Sequence, residues 1–244
     1  MKPEYDLVLR TCKSNMTAYN GFKWPNEGDV GAPDWDPEPK CGKGLHGLLH
    51  GCGDAGLLYN NTKAKWLVVK VLKGTSIDLK GKVKFPKGTV VYAGTREEAV
   101  KIIAEAYPEE PVVFAVRHSG DNGASISGYR GTSASGNYGA SISGDCGTSI
   151  SGDYGKSVSG DYGKSTSGNG GTSISGVDGT STSGNFGTSI SGYRGTSAAG
   201  IGGTLIIKWY DSSRSRTAVA YVGENGIEPN VAYKLDDDGN FIKA

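Results

Sequence analysis

The spacing of apolar and polar positions divides the chain into three parts. Up to about residue 118, short apolar runs alternate with clusters of Gly, Pro, Asp and Asn. The runs Tyr5–Arg10, Trp66–Val71, Val83–Phe85, Val90–Ala93 and Val112–Val116 read as strands. One stretch follows the helical period instead. After Thr95, residues Ala99, Ile102, Ile103 and Ala106 share a face, Thr95 can cap the first turn, Glu97 and Glu98 suit its dipole, and Pro108 stops the run. The Pro-, Gly- and Asp-rich segment from Phe22 to Cys41 predicts a long ordered loop. These elements make residues 1–118 a small α+β domain.

From Ser119 to Ile206 the period is eight, in eleven tandem copies of the form Ser-Gly-x-x-Gly-Thr-Ser-Ile. Gly holds positions two and five of every copy, which we assign to the φ > 0 conformations of a tight corner. Positions six, seven, eight and the next position one form a short strand. Its two faces can be told apart, because position six is Lys at Lys156 and Lys164 and an unpaired ammonium does not fit a narrow core. Positions six and eight therefore point outward, and the serines at seven and one point inward. Those hydroxyls then need partners, since each one left unsatisfied costs ~1–3 kcal/mol.

Eight residues are too few for a closed coil of two strands and two corners, so two copies make one sixteen-residue coil. Position eight supports that pairing. Odd copies carry Ile126, Ile142, Val158, Ile174, Ile190 and Ile206, whereas even copies carry Ala134, Ile150, Thr166, Thr182 and Ala198. The odd corners add Tyr138, Tyr154 and Phe186, interrupted by Gly170. The prediction is a narrow parallel β-solenoid, a rod of roughly 26 Å, with one aliphatic stripe beside an aromatic ladder. Such an exposed patch is a candidate interface, so Ile126, Ile142, Val158, Ile174, Ile190, Tyr138, Tyr154 and Phe186 are the expected partner-binding residues. Residues 207–244 add strands, clearest at Leu205–Tyr210 and Thr217–Val222, and an Asp238-Gly239 hairpin signal that suits a β cap on the open end. The expected class is mainly β: an α+β domain over 1–118, a solenoid over 119–206 and a cap over 207–244.

Composition narrows the function classes. Net charge is +1 over 244 residues and −1 within the repeats, which indicates neither a nucleic-acid binder nor an acidic DNA mimic. The N-terminus has no apolar run of signal-peptide length, no window approaches a membrane span, and four cysteines read as reduced thiols. The expected location is cytoplasmic.

Candidate chemistry is confined to the first domain. Cys41, His46, His50 and Cys52 lie within twelve residues, with ligand types that suit zinc but without a Cys-x2-Cys knuckle. A structural turn is the expected reading, with no metal and no cofactor. An enzyme would use Cys41 and His46 with an acid such as Asp36, Asp54 or Glu97. No ordered series of ADP-ribosyltransferase residues is present, and Gly168-Asn-Gly-Gly171 is a repeat corner without the strand-to-helix context of a phosphate loop.

Copies such as Ser127-Gly-Tyr-Arg-Gly-Thr-Ser-Ala134 resemble the octads of bacterial ice nucleation proteins. That resemblance implies sixteen-residue coils, outward Thr-x-Thr rows and a tyrosine ladder used in dimerisation. The outward pair here is more often Thr-Ser-Ile, with Thr-Ser-Thr once at Thr180–Thr182, and eleven octads form a short array. The whole chain is similar to a family of phage and bacterial proteins without an established activity, through Cys41-Gly-Lys-Gly-Leu-His46, Lys65-Trp-Leu-Val-Val69, Gly81-Lys-Val-Lys-Phe-Pro-Lys-Gly88 and Tyr221-Val-Gly-Glu-Asn-Gly-Ile227. The expected function is a non-enzymatic protein-binding role: a phage accessory protein that inhibits a host defence protein, homodimeric through its solenoid. The alternatives are an ADP-ribosyltransferase-like enzyme in the first domain and an ice-binding solenoid using the Thr rows.

Overall fold

A computed structural model describes residues 4–18, 21–59 and 61–244. The chain divides into two compact units, 1–113 and 114–244.

The first unit is one seven-stranded sheet with a helix. Its strands are β1 (Tyr5–Cys12), β2 (Gly28–Gly31), β3 (Leu45–Leu49), β4 (Lys65–Leu72), β5 (Ile77–Asp78), β6 (Val83–Phe85) and β7 (Lys87–Gly94), in the order β2-β7-β4-β1-β3-β6-β5. Four of the five expected runs are strands, and β4 is central: Trp66, Leu67, Val68, Val69 and Val71 are all buried. Val8, Cys12, Leu67, Val69, Val71, Phe85 and Trp24 share one core. The helix α1 (Arg96–Ala106) packs on β1, β4 and β7, with Thr95 accepting from Glu98 N as its cap and Ala99, Val100 and Ile103 buried. The segment 22–41 is not wholly loop, because Gly28–Gly31 adds an edge strand to β7. Residues 112–115 are not strand either. Strand β8 (Val116–His118) instead begins the second unit, pairing in parallel with Thr132–Ala134.

The second unit is a parallel β-solenoid. One face is built from β8, β10 (Thr132–Ala134), β12 (Thr148–Ile150), β14 (Lys164–Thr166), β16 (Thr180–Ser183) and β18 (Thr196–Ala199). The other is built from β9 (Ala124–Ile126), β11 (Ala140–Ser143), β13 (Lys156–Ser159), β15 (Thr172–Ser175), β17 (Thr188–Ser191) and β19 (Thr204–Tyr210). Successive strands of a face pair in register at sixteen residues, as in Thr132↔Thr148 and Ile142↔Val158. Two octads therefore make one coil. The C-terminal strands close both faces: β20 (Ser215–Tyr221) runs antiparallel to β19, and β21 (Tyr233–Leu235) joins β18 and pairs with β22 (Phe241–Lys243) across the Asp238-Gly239 turn. Beneath them Ala199, Leu205, Val222, Ile227 and Tyr233 form an apolar plug.

The inward serines line the solenoid as expected, with Ser133, Ser141, Ser149, Ser157, Ser173, Ser181 and Ser189 fully buried. Their bonding is uneven. Ser157 Oγ donates across the coil to Thr166 O at 2.5 Å and sits 3.0 Å from Ser151 Oγ, and Ser133 and Ser173 repeat the motif. Six buried hydroxyls, those of Ser125, Ser143, Ser149, Ser159, Ser175 and Ser183, have no partner among the described residues.

The corners differ from the expectation. Positive φ falls on position four, not on the glycines at two and five: Arg130, Tyr138, Cys146, Tyr154, Tyr162, Phe186 and Arg194 all lie at φ 53–57°. The position-five glycines answer a packing demand. A methyl on Gly155 would stand 2.7 Å from Ser151 Cβ and 3.0 Å from Gly139 O of the preceding coil. Corner position three supplies a second ladder. The side-chain oxygens of Asp121, Asn137, Asp153, Asn169 and Asn185 each accept the backbone N–H sixteen residues on.

Candidate functional site

The outward rows form a regular surface on each face of the solenoid. On the odd face, Ile126, Ile142, Val158, Ile174, Ile190 and Ile206 stand in one register-matched row, with Ile142 43% and Ile174 36% exposed. The parallel row at position six reads Ala124, Ala140, Lys156, Thr172, Thr188, Thr204. Its last three members pair with Ile174, Ile190 and Ile206 to form an uninterrupted Thr-x-Ile panel. The even face reads Thr132, Thr148, Lys164, Thr180, Thr196 at position six, with Ala134, Ile150, Thr166, Thr182 and Ala198 beside it. Both lysines point outward and interrupt their rows in the middle of the array.

The aromatic ladder is shorter than its sixteen-residue spacing suggests. Tyr138 and Tyr154 stack at 5.2 Å with planes 8° apart. The Tyr154 ring then lies over Gly170, where a Cβ would meet it at 2.7 Å, and Phe186 covers Gly202 in the same way. Each ring thus leans toward the following coil, and Gly170 separates Phe186, 74% exposed, from the tyrosine pair.

In the first unit the structure separates the four Cys and His candidates. His50 Nε2 lies 2.9 Å from Asp6 Oδ1, and its ring stacks on Tyr107 at 3.9 Å. Cys52 Sγ sits 3.8 Å from Glu110 Oε2. Cys41 and His46 lie elsewhere, along one cavity, with Lys82 Nζ 2.9 Å from Cys41 Sγ. Burial, and then the charges of Lys82 and Arg10, push the His46 imidazole down to about 4. Among the described residues, no group of three His, Cys, Asp or Glu side chains is placed to hold a metal. The glycines of the Cys41–His46 segment have local roles: Gly42 and Gly44 adopt φ of 133° and 105°, and a Cβ on Gly44 would touch the Trp35 ring. Sequence reasoning missed Arg10, Trp24 and Lys82, which share the cavity with His46.

Residues 7–102 match a domain of unknown function (DUF7666). The chain is also similar to ice nucleation proteins of Pseudomonas fluorescens (44% identity over 107 residues, 43% of this chain and 9% of the relative) and Xanthomonas campestris pv. translucens (38% over 104 residues, 42% and 7%). Ice nucleation protein InaU of Pantoea ananas is 35% identical over 105 residues, 42% of this chain and 10% of its own length. The chain thus spans about a tenth or less of these relatives. No solved structure matches it.

This likeness corrects the cytoplasmic placement. That expectation rested on the N-terminal sequence and on unpaired cysteines, and it conflicts with relatives that are ice nucleation proteins. Among the described residues Cys12, Cys41, Cys52 and Cys146 form no disulfide, but reduced thiols do not by themselves define a compartment. Neither the fold nor the relatives support a phage origin or host inhibition.

Proposed function

We propose that the solenoid binds ice, or ordered water, through its outward Thr and Ile rows. The observation that carries this reading is the Thr172/Thr188/Thr204 row beside Ile174/Ile190/Ile206, held in register by parallel pairing. Parallel strands repeat at about 4.7–4.8 Å, so hydroxyls and methyls recur at a spacing close to that of oxygens in ice. β-Branched side chains are stiff at χ1, and neighbouring coils flank each one, so little rotamer freedom is lost when water orders against them. Methyl groups favour caged water and the hydroxyls anchor it by hydrogen bonds. The likeness to ice nucleation proteins supports the same reading. It replaces the protein-binding role expected from the aliphatic stripe as the leading function.

The panel spans few coils, so the expected activity is adsorption to ice and shaping of its growth, with freezing of supercooled droplets only a few degrees above buffer. Thermal hysteresis and ice-shaping assays on wild type and Thr188→Lys test this. Loss of both signals in the variant is the expected result. Wild-type values equal to an albumin control would exclude ice binding.

The exposed Tyr138–Tyr154 stack favours a second reading, protein contact along the odd corner, including contact with another copy of this chain. Light scattering on Tyr138→Ser/Tyr154→Ser and on Ile142→Asp/Ile174→Asp checks it. A mass equal to one chain in wild type as well as in the variants would remove self-association.

A further inference from the structure

Strand β1 pairs with β4 along all eight of its residues but with β3 at only Val8↔Leu49 and Leu9↔Leu48. The β1–β3 ladder ends at Leu9 and Leu48, and beyond it lies a cavity of about 510 Å3, within the range of small-molecule sites. Arg10 reaches across the gap, its Nη1 donating to His46 O at 2.6 Å. Its guanidinium lies 4.5 Å from the centre of the Trp24 ring. The walls divide into an apolar part, including Phe22, Trp24, Leu57 and Leu58, and a basic part formed by Arg10, Lys13 and Lys82.

The basic part lacks counter-charge. Among the described residues no carboxylate forms an ion pair with Arg10 or Lys82, and the one acidic side chain along the cavity, Asp34, accepts from Gly44 N. Burial lowers Arg10 only to about 10, so it stays charged at neutral pH. Among the described residues, three buried nitrogens of neighbouring cavity-lining side chains have no hydrogen-bond partner: Arg10 Nε, Trp24 Nε1 and His46 Nε2. Trp24 itself is 2% exposed. An unsatisfied buried donor opposes folding, and an uncompensated buried cation does so more strongly. An acceptor-rich anion would relieve the two donors, Arg10 Nε and Trp24 Nε1, with Arg10 as its main contact.

We propose that the N-terminal domain binds a small amphipathic anion, a carboxylate or phosphate head on an apolar body, in the cavity beside Arg10. The head meets Arg10 and Lys82, with Trp24 Nε1–H as a further donor. The apolar body lies against Trp24, Phe22 and Leu58.

Isothermal titration of the full chain with octanoate, octyl phosphate, octanol and inorganic phosphate tests this. The expected result is saturable binding of one octanoate or octyl phosphate per chain, the tighter of the two identifying the head. Octanol and inorganic phosphate should each bind at least about ten-fold more weakly, since each lacks one half of the recognition. Arg10→Met should lose roughly ten-fold or more in affinity, and Lys82→Gln, at the half-buried rim, several-fold. Octanol binding as tightly as octanoate, or neither amphipathic anion saturating, overturns the proposal. So does unchanged affinity in Arg10→Met or, if that variant does not fold, in Lys82→Gln.

Discussion

Within the coil, serines of the same type and burial have different worth. Ser157 donates to Thr166 O and contacts Ser151, whereas Ser149, equally buried, has no partner among the described residues. Ser157→Ala should therefore lower stability by about 1 kcal/mol, and Ser149→Ala should leave it unchanged or raise it, because a buried hydroxyl without a partner opposes folding. Chemical denaturation of the two variants checks this, and equal losses would contradict the pattern. His46 makes a second residue-scale test. Its folded value, about 4, lies below the ordinary 6.5, so the unfolded chain takes up a proton first as pH falls. This contribution to stability is complete above pH 6.5 and is lost as pH falls toward 4. His46→Gln should flatten the decline in unfolding midpoint across that window.

At the scale of the element, stacking of coils selects the glycines. Gly155→Ala brings a methyl to 2.7 Å from Ser151 Cβ and 3.0 Å from Gly139 O, both in well-packed positions. A cost of about 1–3 kcal/mol is expected. Gly120→Ala, where a Cβ meets nothing within 4 Å, should be neutral. Thermal unfolding of the two variants, one at a crowded corner glycine and one at an open one, separates a packing role from a conformational one. This distinction was not legible in the sequence. The invariant glycines suggested positive φ, yet that conformation belongs to position four, where Tyr, Arg, Cys and Phe tolerate it. The demand on the position-five Gly comes from the Ser four residues before it and from the previous coil together, contacts that the linear sequence does not display. The rest of the coil was legible: Lys156 and Lys164 identified the outward face, and the odd-even difference at position eight identified sixteen-residue coils. Strand β8 was obscured because Val116–His118 carries no Gly-x-x-Gly corner of its own type. The cavity in the first unit was hidden for another reason. Arg10, Trp24, His46 and Lys82 are scattered over more than seventy residues and meet only where β1 and β3 part. One local signal existed, since Arg10 occupies the alternation shared by Val8 and Cys12, whose side chains enter the core.

For the whole molecule, the two lysines give the proposed surface its size. Lys156 ends the odd-face Thr row before Ala140 and Ala124, and Lys164 splits the even-face row between Thr148 and Thr180. An ammonium at either place holds its own hydration shell and projects beyond its β-branched neighbours, so water cannot order continuously across the face. Replacing both, as Lys156→Thr/Lys164→Thr, extends the odd panel to four consecutive threonines and makes position six of the even face Thr from Thr132 to Thr196. The fold should tolerate this, since both side chains are exposed and Thr fits the strand. An ice-binding face should gain by it: thermal hysteresis at equal concentration rises above wild type, and Thr188→Lys in the same background returns it to the background level. A protein-binding face has no reason to respond in this way. If the double variant folds and its hysteresis does not rise, the Thr rows are a consequence of coil packing, and the function lies with the corner aromatics instead.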